Sequence, residues 1–266
     1  MLVTRGRSRL AQVLRAEGQL ITIADATAAL GVDRVTAAKL LARWQDQGWL
    51  KRVRRGLYAP VPVTALPSDQ VIEDPWTLVP GLFDPGYVGG ASAAHHWGLT
   101  EQLFRTVFVY TARTVRRSQV VIQTIPFVVR HVVKEKLFGT RAVWRGRIKV
   151  QVSDLHRTLI DILDDPAMGG GIRHVADCLQ VYLGRPEASV ETLIAYADRL
   201  GNGAVFKRLG FLAERSGAPK ELVATCAARL TQGNTKLDPA LPSPRLLRRW
   251  RLWVPDRWKG AAPVHD

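Results

Sequence analysis

Cysteine occurs only twice in the 266 residues, at Cys178 and Cys226, and neither stands at a metal-type spacing. A disulfide framework and a cysteine-based zinc site are therefore excluded. No apolar run approaches the ~20 residues that a membrane helix needs. Met1-Leu2-Val3 runs straight into Arg5, Arg7 and Arg9 without a signal-peptide pattern. A reducing cytoplasm with no membrane attachment is the expected setting. The nucleotide-cradling and nucleophile-elbow motifs, GxxxxGK[ST], GxGxxG and GxSxG, are also missing. The adjacent His95 and His96 point about 100° apart on a helix and share no face. With no HxxxH or HxxEH spacing, neither a metal nor another cofactor is expected.

Acidic charge is scarce as well, with 38 Lys and Arg against 23 Asp and Glu, and the excess is unevenly placed. Residues 1–62 carry a net +7, residues 63–100 a net −4 and residues 101–150 a net +9. Two basic blocks on either side of an acidic, proline-containing stretch point to a polyanionic partner, because neutralising phosphates releases counterions. An apolar fraction of 47% still builds a core, and the length fits two or three compact units.

The first block has a definite pattern. A helix over about 5–17 stops at Gly18. A second, capped by Thr22, ends at Leu30-Gly31. A third, capped by Asp33, runs from about Arg34 to Gln47 and stops at Gly48. Its Ala37, Leu40, Leu41 and Trp44 recur at helical spacing and should face a core. Arg34, Thr36, Lys39 and Arg43 are left outside. After Gly48 the period changes, and Trp49–Val53 and Gly56–Ala59 read as two strands around a basic turn. This is the order of a winged helix-turn-helix. Its third helix would present Arg34, Thr36, Lys39 and Arg43 to the major groove, and its wing would place Arg52, Arg54 and Arg55 against phosphates.

Pro60, Pro62 and Pro67 then mark a linker, so the expected division is a DNA-binding domain over 1–62, a linker over 63–74, a second domain over 75–258 and a tail over 259–266. The second domain begins with short helices at 76–83 and 91–98. Strands follow at 107–111, 120–124, 127–133 and 148–152, and a helix from Ser153 or Asp154 to Leu163. Met168-Gly169-Gly170-Gly171 reads as a flexible break. Helices are expected at 172–183, 189–200, 203–216 and 219–231, and 246–254 as a final strand rejoining the sheet. The fold class is thus α+β: a winged helix-turn-helix followed by an α/β domain with a mixed sheet and a bundle-like helical end. Arg113, Arg116, Arg117, Arg130, Arg145 and Arg147 would form a second basic surface, for nucleic acid or for an acidic partner. Asp154 and Asp161, seven residues apart on one helix, could instead hold a cation. A nuclease array is absent, however, since Glu135 is followed by Lys136-Leu137.

Four segments resemble the AbiEi-type antitoxins and transcriptional regulators of bacterial type IV toxin–antitoxin pairs. They are Arg55-Gly56-Leu57-Tyr58, the Ser-Ala-rich 91–100 ending in Gly98-Leu99-Thr100, the junction Ser153 to Asp161 with Arg157 and Leu159, and Arg208-Leu209-Gly210. The resemblance implies a non-enzymatic autorepressor that binds inverted repeats in its own promoter, as monomer or dimer on double-stranded DNA. It also implies an antitoxin that neutralises a cognate nucleotidyltransferase toxin, with or without a stable direct complex. It gives Arg157, Leu159 and Asp161 structural roles. Trp250, Trp253 and Trp258 have no counterpart in it. The alternatives are a metal-dependent nuclease using Asp154 and Asp161, and a ligand-sensing regulator.

Overall fold

The computed structural model describes residues 2–16, 20–61, 74–122 and 124–258. Most of the expected linker and the tail lie outside them. The N-terminal unit comprises α1 (Leu2–Ala16), β1 (Ile21–Thr22), α2 (Ile23–Leu30), α3 (Arg34–Asp46), β2 (Leu50–Arg54) and β3 (Leu57–Pro60). Local chemistry sets these bounds. Thr22 and Asp25 close a reciprocal capping box on α2, satisfying two otherwise orphaned N–H groups. Gly31 ends that helix in the left-handed region. Asp33 accepts from the Val35 and Thr36 amides at the start of α3. Leu10, Val13, Ala37, Leu41 and Trp44 form the core between the helices. The strand β1 adds to the wing in the order β1-β3-β2, all antiparallel.

A 3-10 turn (Pro75–Leu78) and α4 (Val79–Phe83) open the second unit. Next come β4 (Gly86–Val88), α5 (Gly90–His96), β5 (Val107–Thr111), β6 (Gln119–Ile122), β7 (Ile125–His131), β8 (Thr140–Arg145) and β9 (Ile148–Ser153). The strands make one mixed six-stranded sheet in the order β6-β7-β5-β4-β9-β8. Two strands were not anticipated. Gly86–Val88 is only three residues, too short for a period-2 signal, yet it sits inside the sheet between β5 and β9. Thr140–Arg145 is an edge strand whose half-exposed residues hide the usual alternation.

The helical end contains α6 (Leu155–Asp164), α7 (Ile172–Leu183), α8 (Val190–Leu200), α9 (Gly203–Arg215) and α10 (Lys220–Ala228). Residues 168–171, expected to be a flexible break, instead belong to a packed corner. Pro166–Gly169 form a 3-10 turn, and Met168 is buried against Tyr87 and Phe108. The C-terminal stretch also differs from expectation. It forms β11 (Arg245–Leu247) and β12 (Leu252–Val254), which join β10 (Thr235–Lys236) in a separate three-stranded sheet. Trp250 explains the detour: its ring occupies the space beside Gly210, and its indole N–H donates to Glu214 at 2.6 Å. A Cβ at position 210 would lie 2.0 Å from that ring.

The large sheet is covered on both faces. On one, Tyr87, Phe108 and Tyr110 meet α6 and Met168. On the other, Val88, Val109, Phe127 and Val150 pack on Leu78, Val79, Leu82 and Phe83. Leu57 and Ala59 of β3 belong to that same cluster. The wing is therefore sandwiched, with Tyr58 facing its own helices and its neighbours facing the sheet of the second unit.

Candidate nucleic-acid interface

The interface begins with the cap of α3. Asp33 accepts from two backbone amides and from the Thr36 hydroxyl at 2.6 Å. The Thr36 hydrogen bonds hold the Asp33 carboxyl below its ordinary value, so the cap is charged where the helix dipole favours an anion. Thr36 is thereby tied to the cap, although its side chain is exposed.

Arg34, Lys39 and Arg43 are exposed too. At 3.6 residues per turn, Lys39 and Arg43 lie about 40° apart, whereas Arg34 is about 140° and 180° from them. The structure thus places Thr36, Lys39 and Arg43 on one outward stripe, opposite the buried Ala37, Leu41 and Trp44. Arg34 lies at the helix start on another azimuth.

On the wing, Gly56 turns the chain with φ 76, and Arg52 and Arg55 are exposed. The pairing slips between Arg52 and Arg54, a bulge that increases the local twist. Arg54 is the last residue of β2, with its side chain outside the described part. Arg7 lies over the Trp49 ring at 5.7 Å, linking α1 to the base of the wing.

The six candidate arginines of the second unit fall at four places. Arg113, Arg116 and Arg117 are exposed on the loop between β5 and β6. Arg130 bridges Asp164 at 2.8 Å and Asp165 at 3.0 Å, and the nearby carboxylates raise its pKa against the effect of burial. Arg145 lies over Trp76 at 4.5 Å and near Asp74 at 3.6 Å and His96 at 3.4 Å. Arg147 is exposed in the turn between β8 and β9, at the opposite edge of the sheet from β6. Those two edge strands are five spacings apart, about 24 Å.

Two residues that pack where the wing meets the second unit gave no charge signal. Val53 of the wing and Val115 of the β5–β6 loop both pack against the core that unites wing and sheet. The available hint was Leu57-Tyr58-Ala59, a strand apolar on both faces and hence covered on both.

The paired carboxylates are placed otherwise than a cation site would need. Asp161 accepts from Arg157 Nε at 2.8 Å and from the Tyr87 hydroxyl at 3.0 and 3.1 Å. Burial pushes its carboxyl up, and the Arg157 charge opposes that shift. Asp154 caps α6 and accepts from the Tyr196 hydroxyl at 2.9 Å. The two carboxylates thus face different partners. Two of the histidines are likewise engaged: His174 contacts the Gly169 carbonyl and Thr100, and His156 contacts Tyr182. No helix among the described residues is long and apolar enough to cross a membrane.

No curated protein matches the sequence. Among solved structures, the RV2827C protein from Mycobacterium tuberculosis is similar, with a TM-score of 0.63 and 18% identity over 94% of this chain and 91% of that one. At that identity the likeness concerns the fold alone. A family described as "Transcriptional regulator, AbiEi antitoxin" matches residues 8–61, which span the three helices and the wing. By that match, the N-terminal winged helix of this chain is similar to the AbiEi antitoxin family of transcriptional regulators.

Proposed function

We propose that the chain is a DNA-binding autorepressor and antitoxin whose α3 reads inverted repeats in its own promoter and which neutralises a cognate nucleotidyltransferase-type toxin. The observation that carries the reading is the coincidence of the family match over 8–61 with an outward stripe of Thr36, Lys39 and Arg43 on α3. Arg and Lys at such positions pair with guanine O6 and N7, and Arg52, Arg54 and Arg55 grip the backbone. The function is binding rather than catalysis, in keeping with a family of regulators.

Lys39→Ala and Arg43→Ala each weaken binding to the DNA upstream of the gene by about 1–3 kcal/mol, while far-UV circular dichroism stays unchanged. Gel shifts and a promoter reporter measure this. Unaltered binding in both variants removes α3 from the interface. The antitoxin half is tested by co-expression with a nucleotidyltransferase toxin, where restored growth supports neutralisation and unrestored growth overturns it.

A further inference from the structure

We infer that the β5–β6 loop of the second unit is a phosphate-contacting arm that extends the DNA footprint beyond the winged helix, with Arg116 and Arg117 as its contacts. The inference rests on the DNA-binding reading above. Its basis is a depression of about 550 Å³ lined by Val53 of the wing, by Arg113, Arg116 and Arg117 of the loop and by apolar residues of the second unit such as Leu82 and Val120. Val53 stands two positions before the exposed Arg55, so the loop's arginines lie beside the wing.

That proximity is fixed. Leu57 and Ala59 of the wing share a buried core with Leu82, Phe83, Val109 and Phe127, which holds the wing against the sheet. The loop is also pinned. The Ala112 amide donates to the Pro85 carbonyl at 2.9 Å and the Arg113 amide to the Thr111 hydroxyl at 3.0 Å. Its far end is held by the Val129 amide donating to the Ser118 carbonyl at 2.7 Å. Arg113 Nη1 donates to the Leu82 carbonyl at 3.2 Å, which makes it the anchor rather than a contact.

Arg116 and Arg117 are exposed, and no described carboxylate pairs with either. An exposed, planar guanidinium suits the bidentate geometry of phosphate. Duplex DNA, a stiff rod with one charge per about 1.7 Å of axis, offers phosphates along its whole length past the wing. A protein partner would need matched carboxylates at two chosen points. The charge geometry therefore favours the duplex backbone.

The test measures binding of the full chain to a duplex of its upstream DNA, and to an unrelated duplex of equal length, over a range of salt. Arg116→Ala/Arg117→Ala lowers affinity for both duplexes by roughly tenfold at physiological salt. It also reduces the slope of log K against log salt by about 2, one per lost phosphate. Arg147→Ala, at the far edge of the sheet, leaves both quantities unchanged. If Lys39→Ala and Arg43→Ala lose binding while the double variant keeps affinity and slope, the arm is refuted and the winged-helix reading stands. If the wild-type chain binds neither duplex, both fall. A double variant that binds DNA normally but no longer neutralises the toxin overturns the inference and assigns the loop to protein.

Discussion

Lys39, Arg43 and Arg55 of the winged helix stand in solvent, while Arg157 and Arg208 of the second unit are 1% and 3% exposed. The buried pair are fasteners. Arg208 donates to the carbonyls of Leu163 and Asp164, at the end of α6, and to those of Lys236 and Leu237, joining α6 to the small C-terminal sheet. Arg157 pairs with Asp161 and donates to the Tyr87 hydroxyl, joining α6 to β4. Two regions of similar basic content thus use arginine for opposite purposes. Net charge marks where arginines occur; burial and partners decide which of them can meet DNA.

The widest separation should come from breaking the buried pair. Arg157→Met leaves Asp161 an uncompensated buried charge and should cost about 3–5 kcal/mol in denaturant unfolding. Arg157→Met/Asp161→Leu should cost less than the single change, because it removes both charges. Equal losses in the two variants would mean that the ion pair is not what holds α6 to β4. Next in size is Gly210→Ala, whose methyl meets the Trp250 ring; overpacking of about 1–3 kcal/mol should lower the thermal midpoint. A midpoint equal to wild type would show that Trp250 can shift aside at little cost.

Arg145→Ala sharpens the intermediate case. It removes a half-exposed stack on Trp76 and should cost about 1 kcal/mol while leaving DNA affinity intact. Reduced DNA affinity would move Arg145 to the exposed class. At the other extreme, Lys39→Ala and Arg43→Ala should change stability by no more than about 0.5 kcal/mol. Their effect is confined to binding.

Much of the winged helix was legible from residues a few positions apart. The Thr22 and Asp33 caps, the Gly31 stop and the spacing of Ala37, Leu41 and Trp44 give the same helices in the sequence as in the structure. The larger sheet was read less completely. Gly86–Val88 carries too few residues to show a period, and its place inside the sheet depends on partners at 109–111 and 152. The stretch 246–254 reads as one strand but splits into β11 and β12, of which β12 pairs with Thr235–Lys236 instead of rejoining the large sheet. Of the candidate contacts, the outward stripe of α3 followed from helical spacing. The inward commitments of Arg130 and Arg145 did not, since Asp164 and Trp76 lie far away along the chain.

The sequence by itself determined the local elements of the N-terminal unit, because caps, turns and helical periodicity act over three or four residues. Tertiary structure alone decided which basic groups are spent inside the fold and which face outward. It also decided that the wing is docked on the sheet, beside Arg116 and Arg117. Those outcomes depend on desolvation and on partners tens of residues distant: Arg208 and the Leu163 carbonyl are 45 positions apart, and Arg157 and Tyr87 are 70. A buried guanidinium persists only where carbonyls and carboxylates converge on it, and that convergence exists only once the chain has folded.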